Sequence, residues 1–271
     1  MSRMPTLFIP HGGGPCFFMD WDPPDTWDRM AAYLRTVSSD VGHRPEAIVA
    51  ISAHWEENIV TIQNNPSPPL LFDYYSFPAS TYQLEYPAPG SPKHAERISA
   101  LLTDAGIPWK CDTERGFDHG AFIPLKIAFP NADIPIVQVS LRADLDPVAH
   151  IELGKVLQPL RNEGVLILGS GMTYHNMQVM MRNVRGDGGG VTRDAEVFDD
   201  WLTDVLTERA PAARESALAE WKKAPAARLA HPREEHLLPL HVVAGAAGSD
   251  LGRRMLKDTV LGVVESAFQF G

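Results

Sequence analysis

Apolar residues fall into short runs that close abruptly on small residues, and three of these runs hand over to a histidine. Leu7-Phe8-Ile9-Pro10 leads into His11 and Gly12-Gly13-Gly14, and Ala47-Ile48-Val49-Ala50-Ile51-Ser52 leads into Ala53-His54-Trp55. Leu166-Ile167-Leu168 passes through Gly169-Ser170-Gly171 and Met172-Thr173-Tyr174 to His175. Runs of this length predict buried strands that each deliver a histidine at their exit. Further strands are expected at residues 58–62, at 134–141 with Pro135 at the entrance, and at 260–270. Helical spacing covers residues 27–37 through Trp27, Met30, Ala31 and Leu34. Ser91-Pro92 opens a second helix, which runs through Ile98, Leu101 and Leu102 to near Gly106. Asp146-Pro147 opens another that ends at Gly164, and residues 194–206 form a fourth. Strands alternating with helices imply an α/β fold, a single domain over residues 1–271. Its central sheet is mostly parallel or mixed, with helices on both faces. Ligands then belong at the carboxyl ends of the strands.

Two stretches break the pattern. Residues 64–92 are rich in Pro and aromatics and have no period, which marks a functional loop or lid. Gly186-Asp187-Gly188-Gly189-Gly190 reads as a hinge that lets the following segment close over a site.

Composition narrows the partners. The 271 residues suffice for a sizeable core, and 44% hydrophobic with 21% charged residues is ordinary for a globular chain. A net charge of −10 argues against nucleic-acid binding and against anionic membranes. No apolar run approaches a membrane span, and the start lacks the apolar stretch of a signal peptide. Cys16 and Cys111 form no CxxC pair and read as reduced thiols, so a cytoplasmic protein is expected.

Among ten histidines, His43, His94 and His150 read as solvated and His231 as a loop residue. His241 lies five positions beyond His236 and off its helical face, so those two do not pair as ligands. His11, His54, His119, His175 and His236 stand at element ends or in loops, mostly beside Gly, Pro or aromatics. Together they point to one site, because neutral imidazole is the commonest side-chain metal ligand and three leave positions open for substrate. On spacing alone, Glu56, Glu57, Glu234 or Glu235 serves equally as a carboxylate ligand. Trp55 is equally a pocket wall or a core residue; Phe117, Tyr82 and Tyr86 are further candidates for the pocket. Arg115 and Arg142 read as solvated ahead of the alternative, pairing with a substrate carboxylate. His11-Gly12-Gly13-Gly14 mimics an esterase oxyanion loop, but no Gly-x-Ser-x-Gly elbow accompanies it. Gly169-Ser170-Gly171 lacks the third glycine of a dinucleotide fingerprint.

The chain resembles the class III (LigB-type) extradiol ring-opening dioxygenases, in the DOPA 4,5-dioxygenase-like branch. The resemblance is carried by Pro5-Thr6-Leu7-Phe8-Ile9-Pro10-His11-Gly12, Ile51-Ser52-Ala53-His54-Trp55 and Tyr86-Pro87-Ala88-Pro89-Gly90-Ser91-Pro92. It continues in Gly116-Phe117-Asp118-His119-Gly120, in the stretch from Gly169 to Asn176, and in Pro232-Arg233-Glu234-Glu235-His236-Leu237-Leu238-Pro239-Leu240. The resemblance implies a mononuclear metal held by His11, His54 and His236, with His175 as acid/base and, in some members, a fourth ligand. His119 would face the oxygen or the substrate hydroxyl. Fe(II) is expected for activity, and Zn(II) fits the same donors. The implied partners are a catechol and O2, acting on a monomer or homodimer. A zinc hydrolase on the same fold, with Glu56 or Glu235 as base, and a non-catalytic interaction module with a retained metal site are the alternatives.

Overall fold

The computed structural model describes residues 3–185 and 192–271. Its strands are β1 (Thr6–Pro10), β2 (Ala47–Glu57), β3 (Val60–Gln63), β4 (Trp109–Asp112), β5 (Ile136–Arg142), β6 (Val165–Gly171), β7 (Gly252–Val260) and β8 (Val263–Phe270). They form one sheet in the order β4-β3-β5-β2-β6-β1-β8-β7. The centre is parallel, β5-β2-β6-β1, while β3 and β8 run antiparallel to their inner neighbours. The sheet is therefore mixed and stretches from one end of the described chain to the other.

Alternate residues of the central strands feed two cores. Ile48, Ala50, Leu166 and Leu168 pack on one face, and Ala47, Val49, Ile51, Val165 and Ile167 on the other. Nine helices among the described residues supply the covers. They are α1 (Asp28–Asp40), α2 (Pro92–Asp104), α3 (His119–Ala128), α4 (Pro147–Leu157), α5 (Met177–Val184), α6 (Arg193–Thr207), α7 (Pro211–Ala219), α8 (Ala227–Ala230) and α9 (Leu238–Ala247). Residues of α1, α3 and α6 enter the first core, while α2 and α4 enter the second. Both of the Xaa-Pro starts read from the sequence are real: Ser91 Oγ accepts from His94 N–H, and Asp146 accepts from Val148 N–H.

Several elements depart from expectation. β2 does not stop at Ser52 but continues to Glu57, so His54 lies within a strand. The predicted last strand is a hairpin, β7 and β8. The helix expected to reach Gly164 tightens to a 3-10 turn at Gln158–Glu163. α9 carries no readable period because all ten of its residues are buried. The predicted hinge at 186–190 lies outside the described residues. Among those described, no helix is long and apolar enough to cross a membrane.

Candidate active site

Because β1, β6 and β2 are adjacent and parallel, their carboxyl ends open at one place. His11 follows β1 directly, and its backbone N–H donates to Gly171 O at 3.2 Å. His54 stands on β2 where the register against β5 shifts between Ile51 and Glu56. Irregularities of this kind re-aim side chains. His236 arrives just ahead of α9. Its carbonyl accepts from Met172 N–H at 3.1 Å and presses on Gly171, where a Cβ would stand only 2.1 Å from that oxygen. Glycine at the exit of β6 is thus what admits His236.

The three rings form a near-equilateral triangle, with centroids 4.9, 5.2 and 4.9 Å apart for the pairs 11–54, 11–236 and 54–236. One ring nitrogen from each lies within 4.8 Å of the others, and the Nε2 atoms of His11 and His54 are 3.1 Å apart. Two imidazoles bound tetrahedrally to one ion at about 2.0–2.1 Å place their nitrogens roughly 3.3 Å apart.

Proton positions follow from the partners. Ser170 Oγ–H donates to Gly120 O, so it accepts from His11 Nδ1–H at 3.1 Å and leaves the His11 Nε2 lone pair free. His236 Nδ1–H donates to Glu235 Oε1 at 3.0 Å, which frees its Nε2 in the same way. This is the usual support for a metal-ligating histidine. Burial and the neighbouring imidazoles hold His11 and His236 well below the ordinary histidine pKa. Burial brings His54 down to about 4. All three therefore favour the neutral, ligating form, and the donor set suits a divalent metal with open positions.

Two histidine–carboxylate pairs flank the triangle. His175 stacks on His236 with centroids 3.4 Å apart and planes at 15°, its Nδ1 3.5 Å from Glu235 Oε1. Burial pushes the Glu235 carboxyl up, but hydrogen bonds from His175 and His236 outweigh this and hold it low. On the other side, His119 opens α3 with its ring 3.9 Å from that of His54, and its Nδ1–H donates to Asp73 Oδ1 at 2.8 Å. Asp118, fully buried, caps α3 through Ala121 N–H and accepts from Ser52 Oγ–H, Gln138 and Arg115.

The sequence profile described as the catalytic LigB subunit of aromatic ring-opening dioxygenase matches residues 5–268. The chain belongs to the LigB family. Similar relatives include a protein named 4,5-DOPA dioxygenase extradiol from Beta vulgaris, 39% identical over 90% of this chain and 87% of that one. Another is the dioxygenase tasH of Hapsidospora irregularis, 35% identical over 100% of this chain and 86% of its own. The crystal structure of an uncharacterized protein from Escherichia coli K12 superposes with a TM-score of 0.79 at 31% identity, covering 99% of this chain and 100% of the other. LigB dioxygenases are metal-dependent ring-opening oxidoreductases, and the imidazole triangle is the candidate metal site of this LigB chain.

The structure brings together all five singled-out histidines. It corrects other readings. His150 is buried, accepting from Arg142 N–H at Nε2, and His231 is buried with Nε2 2.9 Å from Thr173 O. His94 is half-buried against Ser91, while His43 is exposed as expected. Arg115 is no solvated residue: its guanidinium lies over the Trp55 ring and donates to His54 O and Asp118. Trp55, next to His54 on the strand, is buried. Glu56, Glu57 and Glu234 are engaged by Arg233, Lys110 and Arg228 respectively, which leaves Glu235 as the only one of the four glutamates hydrogen-bonded to a histidine of the cluster. Tyr82 and Tyr86 donate to the carbonyls of Tyr74 and Phe129. Sequence reasoning passed over Asp73 and Ser170. Ser170 carries the signal of a polar residue inside an apolar strand end; Asp73, in a stretch without period, carries none.

Proposed function

We propose that the chain is an extradiol dioxygenase that opens the ring of a catechol with O2 at a mononuclear iron(II), held by His11, His54 and His236. The supporting observation is the convergence of three neutral imidazoles, two with Nδ1–H engaged so that Nε2 is the free donor. Bound there, Fe(II) supplies the Lewis acidity and redox capacity that O2 chemistry on a diol requires. His175 is the acid/base. With Nδ1 toward Glu235, the opposite nitrogen takes a proton from a substrate hydroxyl and returns it during ring opening. His119, with Nδ1–H on Asp73, presents the lone pair of its Nε2 to a substrate hydroxyl as a hydrogen-bond acceptor. Leu70 and Phe117, joined as a bridge, hold the 64–92 segment beside the site. Unpaired Cys16 and Cys111 fit a reducing compartment, and the reading places the enzyme in the cytoplasm.

The test is anaerobic loading with Fe(II), followed by a panel of catechols with O2 uptake and the yellow ring-opened product as readouts. Uptake with Fe(II) and none with Zn(II) is expected. A loaded, folded protein that consumes no O2 with any catechol overturns the reading.

A further inference from the structure

We propose that Asp73 is the positioning residue of His119, its carboxylate fixing the tautomer and orientation in which that ring meets substrate. The inference deepens the dioxygenase reading and rests on it for the word substrate, but its structural content is independent. Asp73 Oδ1 accepts twice from the same residue, from His119 N–H at 2.9 Å and from Nδ1–H at 2.8 Å. One oxygen thereby locks the backbone at the start of α3 and the ring together. With the hydrogen on Nδ1, the lone pair of the neutral ring is on Nε2, at the edge away from Asp73. The other oxygen, Oδ2, lies 3.8 Å from His54 Nδ1, so the carboxylate faces the metal triangle as well.

The approach is built by main chain. Leu71 N–H donates to Phe117 O at 2.8 Å, and Phe117 N–H donates to Pro69 O at 2.9 Å. This short pairing lays the 64–92 segment along the loop that leads into α3. Tyr74, the next residue, is buried, with its hydroxyl on Thr81 O at 2.6 Å and its ring 5.9 Å from that of His119. Asp73 is thus held from both sides, and its side chain is only 20% exposed. The rival use of the same atoms is a second cation among His54, Asp73 and His119. A cation there would take an Asp73 oxygen as a ligand and add a second metal equivalent per chain.

The experiment compares the full-length chain with Asp73→Ala and Asp73→Asn by three measurements. They are the ring-nitrogen NMR spectrum of His119 in the Zn(II)-loaded protein, metal equivalents per chain, and kcat and KM of the Fe(II)-loaded enzyme. The expected wild-type spectrum is a single Nδ1–H tautomer with one metal per chain. Asp73→Ala should mix tautomers and lower kcat by about 10–100-fold, with KM and metal content nearly unchanged. Asp73→Asn, whose amide oxygen can take both donors, should keep the tautomer and recover part of kcat; it also serves if the alanine variant fails to fold. A single Nδ1–H tautomer with wild-type kcat in Asp73→Ala overturns the proposal. So does a second metal equivalent in the wild type that Asp73→Ala loses. An inactive wild type with the expected tautomers would overturn the dioxygenase reading and leave the positioning of His119 standing.

Discussion

An imidazole can bind a cation only through a nitrogen without a hydrogen, so the group on its other nitrogen decides whether it is a ligand. Ser170 does this for His11 and Glu235 for His236, which makes both as consequential as the rings themselves. Ser170→Ala should weaken metal binding by about 10–100-fold with the fold intact, as titration with Zn(II) would register. His54→Ala should lose both metal and turnover, because it removes a corner of the triangle. His175→Ala should keep its metal and lose turnover by at least about 100-fold, the typical contribution of an acid/base. Metal analysis of the purified variants separates the roles, and an empty His175→Ala site would make His175 a ligand. At this scale the sequence was legible where chemistry is rare in its surroundings. A histidine at the end of an apolar run stands out, as His11 does. Asp73 did not, because an aspartate in a Pro-rich loop looks like any solvated carboxylate until the partner segment is known. Arg115 and His150 misled for the converse reason, since charge and polarity do not reveal a partner distant in the chain.

Elements place these residues by how closely their backbones approach. The 64–92 segment reaches the site only because Gly116 lets Pro69 come close: a Cβ there would stand 2.3 Å from Pro69 O. Gly116→Ala must therefore separate the two segments, and with them Asp73 from His119. Overpacking of this sort costs about 1–3 kcal/mol. Expected are a lower urea midpoint and a kcat loss resembling that of Asp73→Ala, with metal content retained; unchanged kinetics would detach the segment from the site. β8 makes a comparable contribution on the other side. Glu265, fully buried, accepts from Thr173 N–H at 2.8 Å, Thr173 Oγ at 3.1 Å and Tyr174 N–H at 3.3 Å, just before His175. The central strands were readable because they are continuously apolar. The edge strands β4 and β7 were not, since exposed residues such as Lys110, Arg253 and Lys257 break the run. α9 was hidden by the opposite circumstance, burial on every side.

Across the whole molecule, buried polar groups tie distant segments together and set the conditions under which the fold survives. Arg161, 1% exposed, donates to the carbonyls of Met4, Ala246, Ala247 and Phe270 and pairs with Asp250, joining the start of the described chain to its end. His241 is a further such group, in the middle of α9 and away from the metal triangle. It is fully buried, with Nε2 3.0 Å from Leu218 O and Nδ1 3.2 Å from Leu237 O. Burial lowers its pKa from 6.5 to about 4, despite the two carbonyls. The unfolded chain then takes up a proton that the folded chain refuses. Stability contributed by the neutral ring is complete above pH 6.5, falls as pH drops below it, and is exhausted near pH 4. One pKa unit is about 1.4 kcal/mol, so the loss from this ring is roughly 2 kcal/mol by pH 5. His241→Gln keeps a donor for Leu218 O but does not titrate. Urea unfolding of wild type and variant from pH 7 to pH 5 should give a drop about 2 kcal/mol smaller for the variant. Parallel losses in the two proteins would mean that the ring accepts its proton within the fold, with the carbonyls of Leu218 and Leu237 compensating for its burial.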